Sequence, residues 1–133
     1  MERLEPNSSD GSQARLVLVS RDWQTRALLR AQLLEEGCPV RAYETLPDAA
    51  AELKAGALKP TLLVAELSGG DWRSELKQLS ELAGRLPVWV LASRSDVDEV
   101  VLKGQGFETV LFRPVDMGDL VRRVKRRLEE LAR

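Results

Sequence analysis

From Arg15 onward, short apolar runs alternate with longer stretches that mix apolar and charged residues. Leu16-Val17-Leu18-Val19 is apolar without a break, which suits a strand covered on both faces rather than one with a wet side. Asp22 stands where a helix N-cap belongs, ahead of a Leu-, Ala-, Arg- and Gln-rich stretch from Trp23 to Glu36 that Gly37 closes. The rhythm repeats. Pro39 to Tyr43 reads as a strand, and Leu46 to Ala55 as a helix stopped by Gly56. Thr61 to Ala65 is a third strand, and a Gly69-Gly70 loop leads to a helix capped by Asp71 and running to about Ala83. Pro87 to Leu91 is a fourth strand, followed by a shorter helix, Ser95 to Lys103, capped by Ser95 or Asp96. Thr109 to Phe112 is a fifth strand, and Asp116 to Ala132 a last helix with Leu120, Val121, Val124, Leu128 and Leu131 on one stripe. Five strands alternating with five helices predict a mostly parallel sheet with helices on both faces, since parallel neighbours need crossover connections.

Residues 1–13 are polar and turn-rich with little to bury, which predicts a disordered tail ahead of one domain over residues 14–133. Apolar residues make up 44% of the chain and charged residues 31%, enough apolar surface for one core. The net charge of −1 argues against a chain that binds polyanions as a whole. Histidine is absent, which removes the commonest general base and zinc ligand. Cys38 is the single cysteine, so neither an internal disulfide nor a CxxC site is possible. No apolar run approaches the roughly 18 residues of a membrane span, and Met1 to Pro6 lacks a signal-peptide core. These features predict a cytoplasmic protein with no metal and no cofactor.

Ligands of open parallel sheets bind beyond the C-terminal ends of the strands. Those ends are Ser20-Arg21-Asp22, Glu66-Leu67-Ser68, Ala92-Ser93-Arg94 and Arg113-Pro114. The loop after the first strand has no glycine, so the dinucleotide fingerprint and the P-loop are both missing.

The buried first strand, Lys59 to Leu67, Leu86 to Ala92 and Leu111 to Asp116 follow one another at a spacing that resembles the receiver domains of bacterial two-component response regulators, the CheY-like superfamily. The resemblance runs from Leu16 to Arg133. It implies a flavodoxin-like three-layer α/β/α sandwich with a five-stranded parallel sheet in the order 2-1-3-4-5. It also implies a phosphorylation site, and there this chain departs from the family. The pair of acids that hold magnesium in receivers falls on Ser20 and Arg21. The phosphate-accepting aspartate falls on Glu66, the phosphate-sensing Ser or Thr on Ala92, the lysine on Arg113 and the aromatic switch residue on Val110.

Three carboxylates and one lysine leave a receiver pocket net negative. Here one acid, Glu66, faces two bases, Arg21 and Arg113, which predicts a net positive site that repels Mg²⁺. Asp22 would neutralise it only by turning inward, against its place as an N-cap. Glu66 reads either as a mimic of a phosphorylated aspartate or as the partner of Arg21 or Arg113. Guanidinium geometry favours the ion pair.

The last helix carries Arg122, Arg123, Lys125, Arg126 and Arg127. They read as a solvated outer face or as a partner surface. Residues 1–119 are net acidic and no aromatic residue accompanies the run, so a basic-helix nucleic-acid adaptor is the weaker reading. Trp89 is expected in the core, Trp23 and Trp72 as lids on the core more readily than as contact surface, and Cys38 as a small packed hydrophobe. The expectation is a pseudo-receiver. It is not an enzyme but a phosphorylation-independent protein-interaction module of a signalling pathway, binding a partner or a second copy through its fourth helix, fifth strand and fifth helix. The alternative is an atypical receiver regulated by another modification or by a ligand.

Overall fold

A computed structural model of the chain describes residues 14–56, 59–67, 72–93 and 99–132. The expected tail, the Gly69-Gly70 loop, the caps at Asp71, Ser95 and Asp96, and the strand-end residues Ser68 and Arg94 lie outside the described residues. The elements in order are β1 (Leu16–Val19), α1 (Trp23–Glu35), β2 (Val40–Tyr43), α2 (Leu46–Lys54), β3 (Leu62–Glu66), α3 (Trp72–Ala83), β4 (Val88–Ala92), α4 (Glu99–Lys103), β5 (Thr109–Phe112) and α5 (Met117–Leu131). The five strands form one sheet in the order β2-β1-β3-β4-β5, and every neighbouring pair is parallel.

The continuous apolar runs have their predicted cause. Alternate residues of each central strand enter different cores. Val17, Val19, Leu63, Ala65, Val88 and Val90 pack with Leu46 and Ala49 of α2, Leu76, Leu79 and Leu82 of α3 and Leu102 of α4. Leu16, Leu18, Leu62, Val64, Trp89 and Leu91 pack on the other face with Leu29 and Leu33 of α1 and the α5 stripe Leu120, Val121, Val124 and Leu128. Cys38 is buried in this second core, where the loss of water pushes its thiol pKa up and leaves it protonated.

Local chemistry sets the helix ends. Asp22 caps α1 by accepting from the Thr25 backbone N–H and from its hydroxyl (3.3 and 2.6 Å). Thr45 caps α2 and Asp116 caps α5 in the same way. Gly37 and Gly56 follow α1 and α2 with φ of 78° and 76°, a backbone region in which glycine carries no steric penalty. Pro39 and Pro87 flank β2 and β4 rather than joining them, because proline has no N–H for a ladder. Among the described residues, no helix is long and apolar enough to cross a membrane.

Candidate functional site

The parallel sheet brings the ends of β1, β3 and β5 to one edge, and a compact polar cluster forms there. Ser20 follows β1 directly and is 1% exposed, the one buried polar residue of the described core. Its backbone N–H is held by the Tyr43 carbonyl, and its hydroxyl donates to Glu66 Oε1 at 2.7 Å. Glu66 is the last residue of β3, and its side chain is 14% exposed. Its other oxygen, Oε2, accepts from Arg113 Nη1 at 2.5 Å. Arg113 leaves β5 with its backbone N–H on the Ala92 carbonyl, and the Arg113–Pro114 peptide is cis. Both carboxylate oxygens of Glu66 are therefore engaged by the protein itself, one by a hydroxyl and one by a guanidinium.

The expected pairing of Glu66 with Arg113 is present, and that with Arg21 is not. Arg21 is exposed, and no hydrogen bond or ion pair joins it to Glu66 among the described residues. Arg21 lies in the bend that follows β1, and its side chain is turned to solvent. The expectation of a net positive site is corrected with it, since one acid now faces one base. Asp22 adds nothing inward. It is exposed, and its hydrogen bonds from Thr25 hold its carboxyl below the ordinary range.

Two contributions were not foreseen. The Ser20 hydroxyl is a donor to Glu66, where the sequence suggested only a missing acid. Arg26, one turn into α1, donates from Nη1 to the Ser20 carbonyl at 2.7 Å and to that of Arg21 at 3.4 Å, tying the loop after β1 to the helix. A basic residue one turn beyond an N-cap was the visible signal for it.

Magnesium, which the resemblance implies, is poorly matched by this cluster. The ion takes carboxylate and water oxygens in octahedral array. The cluster offers one carboxylate, already bonded at both oxygens, beside a cationic guanidinium. Among the described residues, no group of three or more His, Cys, Asp and Glu is placed to hold a metal.

The two switch positions are apolar. Ala92 is fully buried and packs in the α2–α3–α4 core, and Val110 is half-buried against the same core. The basic residues of α5 are largely spoken for within the chain. Arg127 grips Glu108 through Nε and Nη2, both at 2.8 Å, and also reaches Glu130. Lys125 pairs with Glu36, Arg122 with Asp119, and the Arg123 guanidinium lies 5.7 Å over the Trp89 ring. Arg126 is exposed. Trp89 is in the core as expected, its indole N–H donating to Glu108. Trp72 is half-buried against the α2–α3–α4 core. Trp23 departs from the expectation of a lid and is 65% exposed at the start of α1, because Leu29 and Leu33 already fill that helix's inner face.

Neither the protein-family models nor the curated proteins yield a match to this chain. Solved structures do. The signal receiver domain of a LuxO repressor protein from Vibrio parahaemolyticus superposes with a TM-score of 0.71 at 22% identity, covering 90% of this chain and 92% of that one. A CheY-like receiver domain from Methanospirillum hungatei gives 0.72 at 18% identity, covering 89% and 95%. An orphan response regulator of H. pylori gives 0.69 at 19% identity, covering 88% and 98%. At these identities the likeness is one of architecture, and the chain folds as a CheY-like response-regulator receiver domain.

Proposed function

We propose that this chain is a pseudo-receiver, a receiver fold without the phosphoryl switch that works as a phosphorylation-independent protein-interaction module. The observation that carries this reading is the state of Glu66, whose two carboxylate oxygens are held by Ser20 and Arg113. An acid engaged in this way is a poor nucleophile. Among the described residues, no second carboxylate stands beside it to hold a metal that would offset charge developing on a transferring phosphoryl group. As a mimic of a phosphorylated aspartate Glu66 would lack readers, since Ala92 offers no hydroxyl and Val110 no ring. The ion-pair account of Glu66 therefore has more support than mimicry.

On this reading the protein is not an enzyme. It acts in the cytoplasm and meets a signalling partner, or a second copy of itself, through α4, β5 and α5. Val100 and Val101 of α4, 77% and 41% exposed, supply apolar surface there. Intact-mass measurement after incubation with acetyl phosphate and Mg²⁺ tests the reading. The expected result is unchanged mass. A stable phosphoryl adduct that disappears in Glu66→Gln would overturn it.

A further inference from the structure

A groove of about 790 Å³ runs between α2 and α3, on the sheet face opposite α1 and α5. Its apolar lining comes from Pro47, Ala50 and Leu53 of α2 and Leu82 of α3. Its lining spans Pro47 to Lys54 on one helix and Ser74 to Arg85 beside it. At a rise of about 1.5 Å per residue, that gives a trough of roughly 10–16 Å, the length of a short peptide.

Its charge marks it as a place for a ligand. Lys54, Lys77 and Arg85 line it, and none of the three forms an ion pair among the described residues. Glu81 is the one acid in the lining, so the groove is net positive on a chain that is net negative. The contrast with α5 is instructive, because four of its five clustered bases are already engaged within the chain.

We infer that the α2–α3 groove binds an acidic peptide segment of a partner protein. Apolar side chains of the segment sit on Leu53 and Leu82, and its carboxylates meet Lys54, Lys77 and Arg85. The inference rests on the interaction-module reading and names the partner chemistry for a surface separate from α4, β5 and α5.

The test uses the full ¹⁵N-labelled chain and a hexapeptide probe of two leucines flanked by glutamates, with glutamine and lysine versions of the same peptide. The expected result is saturable shifts confined to α2 and α3 amides, with the glutamine version bound at least about tenfold more weakly. Lys77→Glu with Arg85→Glu should lose the acidic peptide and gain the lysine one. Equal affinity for the glutamate and glutamine peptides, shifts centred on α5 or α4, or no shift at millimolar peptide would overturn the inference. Each of those outcomes leaves the phosphorylation test above untouched, so failure of the groove and failure of the pseudo-receiver reading remain distinct.

Discussion

Glu66→Gln and Arg113→Ala, singly and together, measure how strongly one ion pair joins the ends of β3 and β5. Glutamine keeps the shape and can still accept from Ser20, but it strips Arg113 of its counter-charge. Alanine at 113 leaves the Glu66 carboxylate, 14% exposed, with only the Ser20 hydroxyl. A fully buried pair that loses one member costs about 3–5 kcal/mol, and an exposed pair about 0–1 kcal/mol. With side chains 14% and 35% exposed, this pair stands between those limits, at about 1.5–2.5 kcal/mol for Arg113→Ala. The assay is urea unfolding followed by far-UV circular dichroism, where a loss of about 2 kcal/mol moves the midpoint by roughly 1 M. The coupling energy from the cycle should exceed about 1 kcal/mol, because both single changes break the same contact. Arg21→Ala combined with Glu66→Gln is the control and should be additive within about 0.5 kcal/mol. Additivity in the Arg113 cycle would refute the reasoning, since it would mean the 2.5 Å contact contributes nothing that either residue alone does not.

Two further outcomes are expected. Hydrogen bonds from Arg127 hold the Glu108 carboxyl below its ordinary pKa of 4.5, against burial, which raises it, and Trp89 adds a further bond that lowers it. A depressed carboxylate stabilises the fold fully above its unfolded pKa, and that contribution fades as pH falls through the lower folded value. Stability should therefore drop on acidification below about pH 4.5, with a change in Trp89 emission, and Glu108→Gln should flatten this part of the profile. Separately, Ser20→Asp, Arg21→Asp, Glu66→Asp and Arg113→Lys together restore the acids and the lysine of a receiver pocket, and that variant should show a saturable Mg²⁺ response in Trp23 fluorescence. The parent chain should stay flat in the same titration, and a response from the parent would refute the account of its strand ends.

The central strands were legible because burial on both faces writes an unbroken apolar run. All four residues of β1 and all five of β4 are buried. Edge strand β5 is half-buried throughout, and its identity came from the turn at Arg113-Pro114 as much as from its own residues. The Glu66–Arg113 pair was legible for a topological reason, since parallel strands put all their C-terminal ends on one edge. Which of two adjacent residues faces inward was not. Ser20 and Arg21 are consecutive, and one rotation of the backbone exchanges their roles. The bases of α5 show a different limit. Their partners Glu36 and Glu108 lie 89 and 19 residues away, so a charge run that looks like a free surface is consumed by contacts only the fold creates. The α2–α3 groove was invisible for the same reason, as its cations come from two helices and the turn after the second.

The exchange of residues at the strand ends also decides what a partner can sense. By the resemblance, a receiver pocket of several carboxylates and one lysine carries unbalanced negative charge that an incoming cation offsets. In this chain one acid meets one guanidinium, and a hydroxyl takes the remaining oxygen. The charge balance closes within the protein, with the ends of β1, β3 and β5 joined directly. A ligand shifts a conformational equilibrium only by its difference in affinity for the two states. On the proposed reading, with Glu66 satisfied and neither a hydroxyl at Ala92 nor a ring at Val110 to respond to it, no phosphoryl signal would shift that equilibrium, and occupancy by a partner would follow concentration and affinity.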